Sequence, residues 1–507
     1  TSWCSPPTPS HGATRDDRGP VVKKSSQVAS LATLVALAAG LATAATKARE
    51  AAADSPLTSR FSRTAKVWKL SARNSARFAV MKVRGAASPA ERRAQLDEQF
   101  AIRTAADVAK ELGEMKGVLM KAGQLISFIF ETLPEEAQAA LATLQADAAP
   151  MAPSLAAGVV ESELGKSPEQ AFLDWTDLPV AAASIGQVHK AVTHDGVDVA
   201  VKVQYPGVHH AIESDLDAAE MMYAMFSAMM LKGLDAKGFV DELRARMREE
   251  LDYELEARNV VEFGQMFAGH PWVRVPQLVP ELSTRKLLTT EWVDGLTFDE
   301  FRRTASATTK QRAGEVIWRF AQHAVLRHGA FNGDPHPGNY KFHHDGSVTF
   351  LDYGLVKRWS PGEWERLEPT LQAIVVHRDP EQLVAAMEQS GFLRAGHGLS
   401  PQLVYDYVSS PYQPYLVDEF TFSRQWMADT IGKMFDVQGP HQPVIEALNM
   451  PATFVILDRV VWGVNAILGK LDVHGPFRAM LLEYVAGGEP ATDLGAAEAA
   501  WRAGSRS

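Results

Sequence analysis

Apolar and polar positions change their rhythm several times along the chain. Residues 97–145 repeat at helical spacing with few breakers, and Met115, Val118, Leu119 and Met120 lead into Lys121-Ala122-Gly123-Gln124. A glycine inside a helix costs about 1 kcal/mol relative to alanine, so close approach of another group is expected there. Leu133-Pro134-Glu135-Glu136 restarts a helix with proline in its first turn. Near Val180 the period drops to two. Val199-Ala200-Val201-Lys202-Val203 alternates as a strand after the turn His194-Asp195-Gly196. A helix is predicted over 239–263, strands over 273–279 and 286–293, and an amphipathic helix over 315–327. A hairpin follows, 340–343 and 348–351 about His344-Asp345-Gly346. Residues 361–490 read as helices broken near 391–400 and 439–442.

Composition narrows the class. An apolar fraction of 46% with 22% charged residues describes a globular protein, and 507 residues exceed one core. Cys4 is the only cysteine, which excludes an intramolecular disulfide and a thiolate zinc site and fits a reducing compartment. The net charge of −10 is uneven: residues 1–90 hold 14 Lys+Arg against 4 Asp+Glu, leaving 37 against 57 in the rest. A basic arm on an acidic body suits an anionic membrane surface, and phosphate-rich nucleic acid is not expected as a partner.

The arm leaves several readings open. Residues 25–46 are uncharged and follow Lys23-Lys24; a surface-lying or soluble helix, a single membrane anchor and a signal peptide all fit. Arg60, Arg63, Lys66, Lys69, Arg73 and Arg77 fall on one helical face, suited to a membrane surface or to plain solvation. In the run 450–467, Asp458 and Arg459 interrupt any membrane-spanning stretch.

Chemistry concentrates at Phe331-Asn332-Gly333-Asp334-Pro335-His336-Pro337-Gly338-Asn339, followed by Asp352-Tyr353-Gly354. An Asp, an Asn five residues on, and Asp-aromatic-Gly after a hairpin form the metal and phosphate end of a protein-kinase-like site. Upstream, Ala181-Ala182-Ala183-Ser184-Ile185-Gly186 occupies the place of a glycine-rich phosphate loop, with alanine at most small positions and hence a stiffer cradle. Lys202 lies among valines and needs phosphates or a carboxylate as partner. If 239–263 is one helix, Glu249, Asp252 and Glu256 share a face, with Glu250 and Glu254 on a neighbouring one. Glu291-Trp292-Val293 stands where a kinase hinge binds the adenine edge, and an ordinary strand exit fits it as well.

These motifs in this order closely resemble the UbiB-type (AarF-like) atypical kinase family from about residue 95 to about 480. The resemblance implies an α+β, bilobal kinase-like fold with an added N-terminal helical unit. The parts are then an arm (1–94), the helical extension (95–178), a small β-rich lobe (179–293), a helical lobe (294–486) and a tail (487–507), frayed at its end. It implies ATP and Mg2+ as cofactors, with Lys121 and Gln124 as a gating segment packed against Glu250 and Asp252. Lys202 pairs with Glu256; Asp334 is the catalytic-loop aspartate; Asn339 and Asp352 are the magnesium ligands. Asp-Tyr-Gly stands for Asp-Phe-Gly, and Asn332 for the histidine of conventional kinases.

The expected function is an ATPase-like kinase relative that supports isoprenoid quinone biosynthesis or lipid homeostasis, cytoplasmic and peripheral at a membrane. Its expected partners are adenine nucleotide and an anionic lipid surface or quinone intermediates; a homodimer is left open. A small-molecule or protein kinase is the alternative, weakened because no Ala-Pro-Glu segment follows Asp352. A non-catalytic nucleotide-gated lipid-binding module is the other.

Overall fold

The computed structural model describes residues 151–183, 185–208, 248–434, 439–449 and 452–504. The basic arm, the 97–145 helical run with Lys121 and Gln124, and Ser184 lie outside them.

The small lobe is an antiparallel sheet. Strand β3 (Gly186–Val192) pairs with β4 (Asp198–Gln204) along its whole length, from Gly186 opposite Gln204 to Val192 opposite Asp198. β6 (Leu287–Glu291) closes the far side of β4, and the short β1 (Asp174–Trp175) and β2 (Ala181–Ala183) line the outer edge of β3. Alternation sorts β4: Val199, Val201 and Val203 are buried with Val160 of helix α1 (Pro153–Leu164) and with Phe172. Lys202 therefore points to the opposite face, not into the valine cluster. Helix α2 (Tyr253–Met266) packs on that face.

The acidic run does not lie on one continuous helix. Residues 248–250 are helical, Leu251 turns, and Asp252 starts α2 afresh: its carboxylate accepts from the amides of Glu254 and Leu255. An aspartate in that role satisfies amides that a helix start leaves open. Glu249, Asp252 and Glu256 consequently share no single helical face. The strand expected over 273–279 is also shorter. β5 is Val273–Arg274 only, because Pro276 has no amide hydrogen for a ladder.

The large lobe is built around α3 (Ala307–His328), which packs on α4 (Ala452–Lys470) and α5 (Phe477–Val485); Trp318 meets Phe477 and Tyr484 of α5, while Phe320 faces Phe263 and Phe350. β7 (Ala330–Asn332) pairs with β10 (Val356–Arg358), and β8 (Tyr340–Phe342) with β9 (Val348–Phe350). Those two pairings bring the loop 333–339 and the segment 351–355 to one place. The Gly333 amide donates to Leu355 O at 2.7 Å and the Leu351 amide to Asn339 O at 2.9 Å. The end of the chain does not fray as expected: α6 (Asp493–Gly504) docks on the large lobe with Glu498 buried. Among the described residues no helix is long and apolar enough to cross a membrane.

Candidate active site

Lys202 and Glu256 meet between β4 and the first turn of α2. Lys202 Nζ lies 2.9 Å from both carboxylate oxygens of Glu256 and 5.0 Å from the centre of the Tyr253 ring. Burial works against the ammonium, but the nearby carboxylates of Glu256 and Asp352 outweigh it and hold Lys202 well above the usual lysine range. Burial pushes the Glu256 carboxyl up; Lys202 opposes that, while Asp352 and Glu250 add to it. The site thus carries more carboxylate than cation.

Tyr253 was not singled out by sequence. Its ring lies under Lys202, and its buried hydroxyl has no partner among the described residues. It also explains Gly186: a Cβ there would fall 2.3 Å from Val203 O and 2.9 Å from the Tyr253 hydroxyl. Register pairs Ala183 with Gly186, which places the end of β2 against the start of β3. The Ile185 side chain is buried with Leu251, Tyr253 and Leu288, and its carbonyl accepts from the Tyr205 amide. Ile185 therefore holds the turn from beneath rather than lining the cleft. Ala181 and Ala182 are exposed.

Residues opposite one another on β3 and β4 share a face, so Val188 and Ala200 flank the cleft beside Lys202, a pair that the motif reading passed over. At the strand exit the Glu291 amide donates to Gln277 O at 2.8 Å and the Trp292 amide to Asp198 O at 2.9 Å. Neither amide is available to an adenine edge. Val293 lies just beyond, and Lys190 Nζ stands 5.0 Å over the Trp292 ring.

The other half of the site hangs on Asn332. Its Oδ1 accepts from the Asp334 amide at 3.1 Å, and its Nδ2 donates to Asp352 O at 2.6 Å. One amide thus ties the Asp334 loop to the Asp352 segment. Asn339 Nδ2 donates to Asp334 O at 3.2 Å and Oδ2 at 3.4 Å, which directs its Oδ1 to the other side. Asp352 Oδ1 accepts from the Gly354 amide at 2.9 Å. A Cβ on Gly354 would sit 3.4 Å from Glu256 Oε2, so this segment lies against α2. Asn259 of α2 donates to Tyr353 O at 2.9 Å, and Phe263 packs 5.0 Å from the Tyr353 ring. The Tyr353 hydroxyl is buried without a partner among the described residues.

His336 Nδ1 accepts from the Gly338 amide at 3.1 Å, so the neutral ring carries its proton on Nε2. Behind the loop stands α4: a Cβ on Gly463 would fall 2.3 Å from Pro335 Cγ. The motif reading gave α4 no such role, because the contact joins distant parts of the chain. Glu250 is buried beside the cluster, and Asp252 spends one carboxylate oxygen on capping α2.

The donor set fits magnesium with a polyphosphate. Asn339 and Asp352 supply hard oxygens, and the excess of carboxylate around one ammonium is the imbalance that a divalent cation relieves. Among the described residues no group of three or more His, Cys, Asp or Glu side chains forms a metal cage. Kinase-type magnesium sites take part of their coordination from the nucleotide's phosphates.

The described geometry agrees with three comparisons. Residues 143–387 match the model of the ABC1 atypical kinase-like domain. The protein ACTIVITY OF BC1 COMPLEX KINASE 1 of Arabidopsis thaliana is 32% identical over 294 residues, 56% of this chain and 42% of its own length. Atypical kinase COQ8 of Saccharomyces cerevisiae is 32% identical over 249 residues, 49% of each chain. The chain thus spans about half the length of these two relatives or less. A solved complex of Rv3197 with erythromycin from Mycobacterium tuberculosis is 33% identical with a TM-score of 0.56, covering 74% of this chain and 93% of that one. With a kinase-like fold, an ordered set of site residues and these relatives, the chain belongs to the ABC1 atypical kinase-like, or UbiB/AarF, family.

Proposed function

We propose that this protein binds ATP with Mg2+ and hydrolyses it or transfers its terminal phosphoryl group to a small acceptor, in support of isoprenoid quinone or lipid metabolism at a membrane. The observation that carries the reading is the meeting of the Lys202–Glu256 pair with Asp352, while Asn332 ties the Asp334 loop to that same segment.

In this reading Val188 and Ala200 cover the base, and Lys202, held by Glu256, binds phosphate oxygens. Asp334 orients the attacking water or hydroxyl and receives its proton. Asn339 and Asp352 would hold magnesium, which supplies charge neutralisation on the phosphates. The missing Ala-Pro-Glu segment points away from a peptide. The basic residues of the arm provide the attraction to anionic lipid, and the quinone link rests on the family resemblance.

Magnesium-dependent ATP turnover by the purified chain, with and without anionic liposomes, tests this. Turnover that Asp352→Asn abolishes supports it; turnover indifferent to that substitution refutes catalysis at this site. Efficient labelling of a generic protein would favour the protein-kinase alternative, and nucleotide binding without turnover the lipid-binding module. Quinone profiles of a deletion strain test the metabolic link, which an unchanged profile would remove.

A further inference from the structure

Helix α2 is held at three levels. Near its start Glu256 meets Lys202; in its middle Asn259 and Phe263 contact Tyr353; its end is gripped by a residue from the far end of the chain. Trp501 of α6 donates from Nε1 to Ala268 O at 2.9 Å, across 233 positions of sequence. Its ring stacks on Phe267 at 6.5 Å and 5° and meets His270 edge-on at 4.7 Å. Ala268 is an exposed residue of the turn that follows α2, so the indole pins the exit of that helix to α6. Gly269, with φ +67, lets the chain turn back beneath the indole, where a Cβ would be 3.9 Å from Nε1.

The grip is firm because α6 is locked in place. Glu498 accepts from Arg319 Nη1 at 3.1 Å and the Tyr484 hydroxyl at 2.6 Å, and its other oxygen lies 2.7 Å from His323 Nδ1. Arg319 also holds Glu483 through two nitrogens, at 2.9 and 3.0 Å. Gly495 admits the guanidinium: a Cβ there would lie 2.6 Å from Nη2. A helix is stiff along its axis, at about 1.5 Å per residue, so a tilt at the Met266 end of α2 moves Glu256 about 15 Å away.

We propose that Trp501 is a positioning residue of the nucleotide site, setting the pose of α2 and through it the Lys202–Glu256 pair. This rests on the nucleotide reading above, and the C-terminal helix then acts as an internal brace on the part that aligns the phosphate-binding lysine.

The test uses the full chain carrying Trp501→Ala, Trp501→Phe, Glu256→Gln and the double variant Trp501→Ala/Glu256→Gln. Val404→Ala, in a buried position on helix Pro401–Val408, serves as a stability control. MgATP affinity and hydrogen exchange of residues 253–266 are measured well below every melting temperature. Trp501→Ala is expected to weaken MgATP by about tenfold and to speed exchange across α2. Trp501→Phe, which keeps the stack, should recover most of the affinity, and Val404→Ala should alter neither quantity. In the Glu256→Gln background the Trp501→Ala effect should shrink to about twofold or less, since both act on one pair. Additive losses, or a Trp501→Ala effect no larger than that of Val404→Ala, overturn the brace. If the wild-type chain binds no MgATP, the nucleotide reading fails, and the exchange of α2 alone decides the brace: unchanged protection in Trp501→Ala refutes it.

Discussion

Two buried charge clusters, one in each lobe, are built from similar parts and end in different states. Around Arg319 every donor of the guanidinium side is used: Nε on Glu315 at 2.7 Å, Nη1 on Glu483 and Glu498, Nη2 on Glu483 and Thr492. Around Lys202 the ammonium meets one carboxylate, Glu256, although Asp352 and Glu250 also act on the cluster. The Tyr253 hydroxyl beside it is buried without a partner among the described residues. A planar fork with five donors can be saturated by protein groups alone, whereas an ammonium with three donors keeps capacity for another oxygen. The saturated cluster fixes one arrangement of helices; the other keeps donor capacity, as the proposed nucleotide site requires.

The largest contrast is expected from removing each cation. Arg319→Met leaves the buried carboxylates of Glu483 and Glu498, and the half-buried one of Glu315, without their shared partner and should cost about 3–5 kcal/mol of stability, read by denaturant unfolding. Lys202→Met should cost less, since one buried carboxylate rather than several loses its partner, yet abolish magnesium-dependent turnover. Equal stability losses in the two variants would break the distinction.

Next in size is the response to acid. Glu498 is drawn down to about 2: burial would raise it, but His323, Tyr484 and Arg319 prevail. A lowered carboxyl stabilises the fold above its unfolded value near 4.5, and this is lost as pH falls toward 2. His270 is pushed down to about 4 by burial, so the unfolded chain takes up its proton first and stability already declines as pH falls from 6.5 to 4. Melting temperatures should therefore drop in two stages. Glu498→Gln should remove much of the lower stage, and a wild-type melting temperature flat from pH 7 to 4 would contradict this.

Gly463→Ala forces a Cβ against Pro335 and should slow turnover about tenfold, with a stability cost of about 1–3 kcal/mol from overpacking. Turnover unchanged in this variant would show that the Asp334 loop does not depend on α4. The smallest effect belongs to Tyr353→Phe. Removing a buried hydroxyl that has no partner among the described residues should raise stability by about 1 kcal/mol and leave turnover within about twofold. A loss of stability would show that the hydroxyl has a partner in solution.

What could be read in the sequence follows from how local each signal was. Asp334, Asn339 and Asp352 stand on one loop and one hairpin, so spacing alone brings them together. Lys202 was legible from strand alternation, although the valines about it point the other way. The break at Asp252 was hidden, because an aspartate inside an acidic run reads as one more charge until its cap bonds are seen. The small-residue end of the chain, with its alanines and glycines, read as a fraying tail. Glu498 and Trp501 acquire meaning only beside Arg319 and Ala268, which no periodicity links to them. Gly463 behind Pro335 is hidden for the same reason.

On the proposed function, the carboxylate excess beside Lys202 is a place for a metal-bound polyphosphate. Calorimetric titration of the intact chain with ATP, with and without Mg2+, tests it most directly when repeated on Asp352→Asn. Wild-type affinity should rise at least about tenfold with magnesium, and that gain should vanish in Asp352→Asn. Affinity that is the same with and without magnesium, and unaltered by Asp352→Asn, would contradict it.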